Sequence, residues 1–439
     1  MKYSGWGRYP AQQGELVEPA DTTQLQQLLR QPKNKGPGWI PRGAGRSYGD
    51  SALADRMLGS RYLDNFRSFD QDNGLLACAA GTLLSGILDL VVPAGWFLPV
   101  LPGTSYVSVG GAIASDIHGK NHHRDGCFSR FVRSLTLMLA SGEIKNIGPA
   151  DNPELFRATC GGMGLTGMIL EATLQLVPLQ SARIRQQTLA SGDLTQVMEL
   201  FEAHHDSHYS VAWLDCMARG NQLGRSILFL GEHEADDHRH NGKTKKSMSI
   251  SVPFNTPGFL LNRYTMGSFN HLVYHWQKRR AKEQQVHYDR YFFPLDRILH
   301  WNRLYGRNGF LQYQFVLPLE SAGPGLRTVL EKISAAGKGS FLCVLKKMGS
   351  HNGNLLSFPV EGYTLALDFK YESGLFQLLD ILDEIVLAHG GRLYLAKDAR
   401  MSEHVFKASY PGWTQFVQIK HAVDPDGVFA STQSQRLGI

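Results

Sequence analysis

Residues 152–178 read NPELFRATCGGMGLTGMILEATLQLVP, and the order of elements around the glycines decides the fold. Gly162, Gly164 and Gly167 match the GxGxxG spacing of dinucleotide-binding chains. In that fingerprint a strand comes first and a helix second, so that the helix N-terminus meets the pyrophosphate. Here the order is inverted. Asn152-Pro153 predicts a helix through ELFRAT, because proline is tolerated at the first helical position. MILEATLQLV then alternates as a half-buried strand does. NAD binding on a Rossmann fold is therefore rejected.

Two more glycine runs lie upstream. GAGRSYG places Gly43, Gly45 and Gly49 one residue too far apart for the same fingerprint, and a third run covers residues 103–111. Successive backbone N–H groups in tight turns form anion-binding nests, and a chain without Cβ atoms lets a ligand lie against it. Any one run reads as a turn. Three within one segment predict a single long ligand threaded through them.

The surrounding sequence supplies α+β elements. ADTTQLQQLLRQ, residues 20–31, predicts a helix capped by Asp21 with Gln24 three positions on. WIPR predicts a strand entering the first glycine turn, and VRSLTLMLASGEIKNI (132–147) two strands joined at Ser141-Gly142. After Val177 the composition changes. FLQYQFVLPLE, FLCVLKKMG and YTLALDFK are strand-like, and two helices lie among them. One is expected from near Pro324, with Leu326, Val329, Leu330 and Ile333 on one face. The other runs from near Ser373 to Gly390-Gly391.

The length of 439 residues predicts two domains. Hydrophobic content of 43% with 19% charged residues describes a globular chain. A net charge of +6 is too mild to predict a nucleic-acid partner. Five dispersed cysteines without a CxxC pair predict free thiols in a reducing compartment. The N-terminus has no signal-peptide pattern, and the most apolar run, ILDLVVPAGWFLPVLP, carries Asp89 and three prolines, so the expected location is the cytoplasm. A mobile loop is expected near residues 231–251, where the sequence is polar and aperiodic. Aromatic-rich sequence and the basic run QKRRAK follow it.

The motifs PRGAGRSYGD, PGTSYVSVGGAIASDIHG and NPELFRATCGGMGLTGMILEATLQLVP, in this order, resemble the FAD domain of the vanillyl-alcohol-oxidase and p-cresol-methylhydroxylase superfamily. GRSYGD, GGAIASDIHGKNHHRDG, FLQYQF, GGRLYLAKDAR and the ending DPDGVFAS…RLG further resemble the decaprenylphosphoryl-β-D-ribose 2′-oxidase family nearly end to end. That resemblance implies an α+β, two-domain FAD-binding fold with an inserted α+β substrate domain. Residues 1–180 and 392–439 would form the FAD-binding part, and 181–391 the substrate-binding part.

The same resemblance implies the cofactor contacts. Arg42, Gly43, Ala44, Gly45, Arg46, Ser47, Tyr48, Gly49 and Asp50 form the first loop. Gly103, Ser108, Val109, Gly110, Gly111, Ser115, Asp116 and His118 come from the second motif, and Ile169 and Tyr394 from later segments. Some relatives bind FAD covalently through a histidine in the first loop. Arg46 stands at that place here and cannot form the bond, so FAD is expected to be noncovalent unless His118 makes the link.

The stretch GGAIASDIHGKNHHRDG, residues 110–126, also admits a metal reading through His118, His122 and His123. No ligand spacing such as HExxH supports it, and adjacent His122 and His123 would diverge in extended backbone. The preferred reading is a flavin-shaped backbone with a functional histidine and no metal.

The implied reaction is oxidation of the 2-hydroxyl of a polyprenyl-phosphoryl-β-D-ribose to the 2-keto sugar, with hydride passing to flavin N5. A separate short-chain reductase would complete epimerisation to the arabinose form. His118 and Lys397 are the candidate catalytic groups, as base or as stabiliser of the reduced flavin. Gln312, Gln314, Lys346 and Trp213 are the expected substrate contacts. Gln312 and Gln314 lie two apart on a strand and so face one way. Taken alone, Trp213 also reads as core and Lys346 as a solvated strand-edge charge. Mycobacterial members carry a cysteine where this chain has Ala366. A lipid-linked substrate would bring the protein to a membrane surface. The competing readings are an FAD-dependent oxidase of a soluble aldonolactone or sugar alcohol, a metal-dependent hydrolase built on the three histidines, and a noncatalytic flavin-binding partner.

Overall fold

The computed structural model describes residues 1–31, 38–234, 249–280 and 282–439. The expected mobile loop near 231–251 falls mostly outside the described residues. Its beginning is ordered, because the strand Ser226–His233 runs through it.

The N-terminal part combines two small sheets. Glu15–Val17, Arg56–Gly59 and Trp39–Arg42 form a parallel three-stranded sheet. The helix Thr22–Arg30 lies in sequence between Glu15–Val17 and Trp39–Arg42. Asp21 caps it by accepting from the Gln24 N–H, and the Gln24 side chain reaches back to the N–H of Ala20. Beside it lies an antiparallel five-stranded sheet in the order Ile144–Ile147, Val132–Met138, Met168–Gln175, Leu75–Ala79, Phe66–Asp70. Its apolar face, with Leu76, Leu135, Leu137 and Leu174, packs on Ile87, Leu88 and Val91 of the helix Leu84–Val91. The helix Pro153–Thr159 does precede the third glycine run and the strand Met168–Gln175 does follow it.

The larger sheet is antiparallel throughout, with eight strands. Their order is Glu283–His287, Arg183–Ser191, Ser226–His233, Tyr209–Leu214, Cys343–Met348, Gly362–Lys370, Phe310–Pro318 and Arg392–Leu393. Its two-residue alternation sorts the side chains onto two faces. Leu345, Leu365, Leu367, Tyr313 and Phe315 point to one side, where they are buried with Leu326, Val329, Leu330 and Ile333 of the helix Leu319–Ala336 and with Leu378, Leu379 and Leu382 of the helix Leu375–Ala388. The opposite face carries the polar residues discussed below.

The first of those helices begins at Leu319, five residues before the position expected from Pro324. Near a helix start the first N–H groups lack carbonyl partners in any case, so a proline in the second turn removes only one bond. The C-terminal segment returns to the parallel sheet. Ala430 donates its N–H to Trp39, Thr432 to Leu53, and Arg436 pairs with both Asp50 and Asp398. All five cysteines are buried and unbridged.

Candidate active site

Strand register builds one wall of the site. Trp213 pairs with Val344, Lys346 with Thr364, Gln314 with Ala366 and Gln312 with Asp368. Residues directly opposite in an antiparallel pair share a face, and so do residues two apart. Trp213, Lys346, Ala366, Gln314 and Gln312 therefore face one way, and all five line a cavity of about 770 Å³. This is near the upper end of the ~300–1,000 Å³ usual for ligand pockets.

The glycine runs build the opposite wall. Arg42 through Tyr48, Gly103, Ser108, Gly110, Gly111, Ser115, His118, Gly164, Gly167 and Ile169 line the same cavity, as do Tyr394 and Lys397. Four expected residues do not reach it. Val109 lies in the core, and Gly49 packs so tightly on the Asp398 carbonyl that an added Cβ would lie 1.7 Å from it. Asp50 is buried against Arg436. Asp116 is fully buried and positions the loop: its carboxylate accepts from the side chains of Asn352, Asn354 and Ser357 and from the Ser129 N–H. These residues shape the wall from behind.

The cradle fits an elongated anionic cofactor. Among the described residues, the N–H groups of Ala44, Gly45, Arg46 and Ser47 donate no hydrogen bond within the protein, so the first loop presents a row of unused donors. The chain is also too close for side chains there. A Cβ on Gly43 would lie 2.2 Å from Ser108 Oγ, and one on Gly110 3.0 Å from the Ala80 Cβ. Arg46 stacks over Trp6, with its carbon 4.5 Å from the ring centroid, and lies near Tyr106; its Nε has no partner.

His118 sits between the two walls. Gln314 Nε2 donates to His118 Nε2 at 3.1 Å and to Thr364 Oγ1 at 3.2 Å. An amide nitrogen only donates, so His118 Nε2 accepts and the ring proton lies on Nδ1, which has no partner. Burial, with added repulsion from Lys346, His122 and Lys397, holds the imidazole pKa well below its ordinary value, so the ring is neutral. Tyr394 packs 5.2 Å from it and donates its hydroxyl to the Ser115 carbonyl.

Three half-buried lysines line the cavity. Burial brings Lys346 down to about 7, with repulsion from Lys397. Lys346 lines the cavity half-buried and has no hydrogen bond or ion pair among the described residues, so it stands there as a cation without a carboxylate. Burial brings Lys397 down to about 8, opposed by Asp368, and its ammonium lies 4.1 Å from the centre of the Tyr48 ring. Lys120 falls to about 7 through burial and Lys346, and donates to the Tyr291 carbonyl. Asp368 accepts from Gln312 at 2.6 Å, and burial lifts its carboxyl to about 7.

Lys120 and Asp368 were not singled out from sequence. Lys120 follows His118 by two positions, and Asp368 falls on the same strand face as Ala366, so the alternation could have marked both. Trp6, Tyr106 and most of residues 290–301 also line the cavity, and no sequence pattern announced them.

His122 and His123 depart from the extended backbone expected. They open a short helix, His122–Asp125. His122 Nδ1 accepts from the Gly349 N–H, while His123 Nε2 meets the Ser207 carbonyl. The rings thus serve separate backbone partners. Among the described residues no group of three or more His, Cys, Asp or Glu side chains could hold a metal ion.

Comparison with known proteins agrees with this geometry. Residues 15–148 match the FAD binding domain family, and residues 369–437 match the D-arabinono-1,4-lactone oxidase family. The chain is 37% identical to the decaprenylphosphoryl-beta-D-ribose oxidase of Mycolicibacterium smegmatis, over 99% of this chain and 96% of that protein. It is 22% identical to the L-gulonolactone oxidase of Scyliorhinus torazame, over 99% and 98%. It is 21% identical to the L-gulono-1,4-lactone dehydrogenase of Mycobacterium tuberculosis, over 98% of each. Aligned along nearly its whole length at that first level of identity, and carrying the FAD binding domain, this chain belongs to the decaprenylphosphoryl-β-D-ribose oxidase family and is an FAD-dependent oxidoreductase acting on CH–OH groups.

Proposed function

We propose that the substrate is a polyprenyl-phosphoryl-β-D-ribose, oxidised at its 2-hydroxyl to the 2-keto sugar. The observation that carries this reading is Lys346, half-buried on the cavity wall without a carboxylate and repelled by Lys397. A buried ammonium is costly unless an anion meets it. A phosphoryl sugar brings that anion; a neutral lactone, the alternative suggested by the two lactone-active relatives, leaves the lysine unpaired.

The residues that would hold FAD are the loop from Arg42 to Tyr48, the segment from Gly103 to Ser115, Ile169 and Tyr394. Bound there, FAD supplies a two-electron acceptor for the alcohol. The protein's own share is positioning and proton handling. Gln312 and Gln314 offer amides to the sugar hydroxyls, and Trp213, its Nε1 donating to Phe341, walls the sugar site. His118, kept neutral, accepts the hydroxyl proton at Nε2 when the substrate hydroxyl takes the place of the Gln314 N–H. Lys397 carries positive charge beside Tyr48 and offsets negative charge developing in the cavity. Without a histidine in the first loop, FAD is held noncovalently. Residues 1–180 with 392–439 serve the cofactor and 181–391 the sugar, although the edge strand Arg392–Leu393 hydrogen-bonds into the latter's sheet. The keto product then passes to a separate short-chain reductase on the cytoplasmic side of the membrane. Comparing polyprenyl-phosphoryl ribose with L-gulono-1,4-lactone as reductants of the bound flavin tests the reading; preference for the lactone would overturn it.

A further inference from the structure

The described residues 249–280 present an unusual surface. Phe254, Phe259 and Leu260 are exposed, and so are Tyr264, Leu272 and Trp276 on the helix Arg263–Arg279. Their exposure is large: 75% for Phe259, 72% for Tyr264 and 68% for Leu272. At 100° per residue, Tyr264, Leu272 and Trp276 fall on one arc of the helix, while Met266, Asn270 and Tyr274 anchor the opposite side in the protein. Scattered exposed apolar residues need no explanation, but this many along one short segment do.

Charge points to the occupant. Residues 249–282 contain no Asp or Glu, while Arg263, Lys278, Arg279, Arg280 and Lys282 are all present. Arg280 lies 4.3 Å from the centre of the Trp276 ring, and Arg263 4.9 Å from that of Tyr264. Aromatic side chains interleaved with exposed cations match the interface of an anionic bilayer, where rings sit at headgroup depth and the cations meet lipid phosphates.

The cavity adds a second, independent observation. Val273 and Gln277, on the inner side of this same helix, line the cavity, and Leu299 both lines it and is exposed. The mouth therefore opens beside the patch. Among the described residues no helix is long and apolar enough to cross a membrane, so contact of this kind lies on the surface.

The geometry points to a lipid-docking face formed by Phe254, Phe259, Leu260, Tyr264, Leu272 and Trp276 with the basic residues 278–280, which seats the cavity mouth against an anionic membrane. This inference rests on the polyprenyl-linked substrate proposed above. Docked this way, the phosphoryl sugar enters past Leu299 while its lipid tail stays in the bilayer, and neither part crosses water.

The test is sedimentation of the full-length, FAD-loaded protein with phosphatidylcholine vesicles, with and without 30% phosphatidylglycerol (about that fraction is needed for a surface potential of physiological size). Binding to the anionic vesicles, weakened by salt and near absent on the neutral ones, is expected. Leu272→Asp/Trp276→Asp and Lys278→Glu/Arg279→Glu/Arg280→Glu should each weaken it, the latter on the order of a hundredfold. Both variants should keep their flavin spectrum and their rate on a short-chain, water-soluble polyprenyl-phosphoryl ribose, because none of these residues lines the cavity. Equal binding by wild type and both variants, or no binding to anionic vesicles, overturns the inference. A concentration-dependent dimer abolished by the Leu272/Trp276 variant, in place of vesicle binding, also overturns it by assigning the patch to a second copy. Loss of the soluble-substrate reaction in the wild type would instead count against the proposed substrate.

Discussion

The side-chain amide of Gln314 lies 3.1 Å from His118 Nε2, joining the glycine-lined wall of the cavity to the eight-stranded sheet across 196 positions of sequence. That contact fixes which imidazole nitrogen can accept and leaves the proton on Nδ1. Gln314→Leu should leave His118 buried without its partner and lower kcat about 100-fold, the order lost when a general base is misplaced. Gln314→Glu should raise the His118 pKa by placing a carboxylate beside it, moving the acid limb of the rate profile to higher pH. Rapid-mixing measurements of flavin reduction from pH 5 to 9 read both effects. A Gln314→Leu enzyme with unchanged rate and pH profile would remove His118 from the reaction.

The lysines of the cavity predict a pH dependence with a definite sign. Lys346 and Lys120 are held to about 7 in the ligand-free protein. A phosphate binds their protonated forms, so KM for the phosphoryl sugar should be flat below pH 7 and rise toward tenfold per pH unit above it. Stability of the ligand-free protein should move the other way: the unfolded chain holds more protons between about 7 and the ordinary lysine value, so these groups make the fold more stable as pH rises through that window. Lys346→Met should raise KM and flatten its pH dependence, and Lys346→Arg should restore part of the affinity. Steady-state kinetics with thermal unfolding at pH 7 and 9 test this.

Gly43→Ala should weaken FAD binding at least tenfold, because the new Cβ would lie 2.2 Å from Ser108 Oγ and push the two loops apart. The double variant Gly43→Ala/Ser108→Gly removes the clash and should recover most of the affinity. Fluorescence titration of the FAD-free protein measures both. Equal loss in the two variants would point to a cause other than this contact.

Asp116→Ala should destabilise the protein by about 3 kcal/mol, since it strands the buried side-chain donors of Asn354 and Ser357 and the Ser129 N–H, and frees the Asn352 amide. Asp116 also holds φ at 40°, where alanine is strained. Urea denaturation should show the loss, and a change below 1 kcal/mol would contradict the anchoring role.

Local signals made most of the elements legible before the structure. The Asp21 cap, the Asn152-Pro153 start and the alternation of FLQYQF and MILEATLQLV each depend on neighbouring residues alone, and each fell where expected. The inverted order around Gly162, Gly164 and Gly167 was enough to set aside a Rossmann fold. Misplaced features depend on context that periodicity does not carry. Pro324 marked a helix start by propensity, yet the helix begins at Leu319 because tertiary packing of Ala322 and Leu326 absorbs the lost bond. His122 and His123 read as extended but form a helical turn, set by the backbone partners they find at Gly349 and Ser207. Lys120 went unnoticed because its role depends on burial beside Tyr291, 171 positions away. Val109, at the start of the short helix Val109–Ala114, and Asp50 and Asp116, in loops, belong to segments that touch the cavity while their own side chains turn inward, a distinction no linear motif makes.

The most direct test of the central claim is the visible absorption of the purified, FAD-loaded protein mixed without oxygen with a short-chain polyprenyl-phosphoryl-β-D-ribose. The account predicts that the band of the oxidised flavin disappears, that a 2-keto sugar phosphate forms in equal amount, and that acid precipitation releases the flavin into solution. An unchanged band with this substrate, together with bleaching by an aldonolactone, would contradict it.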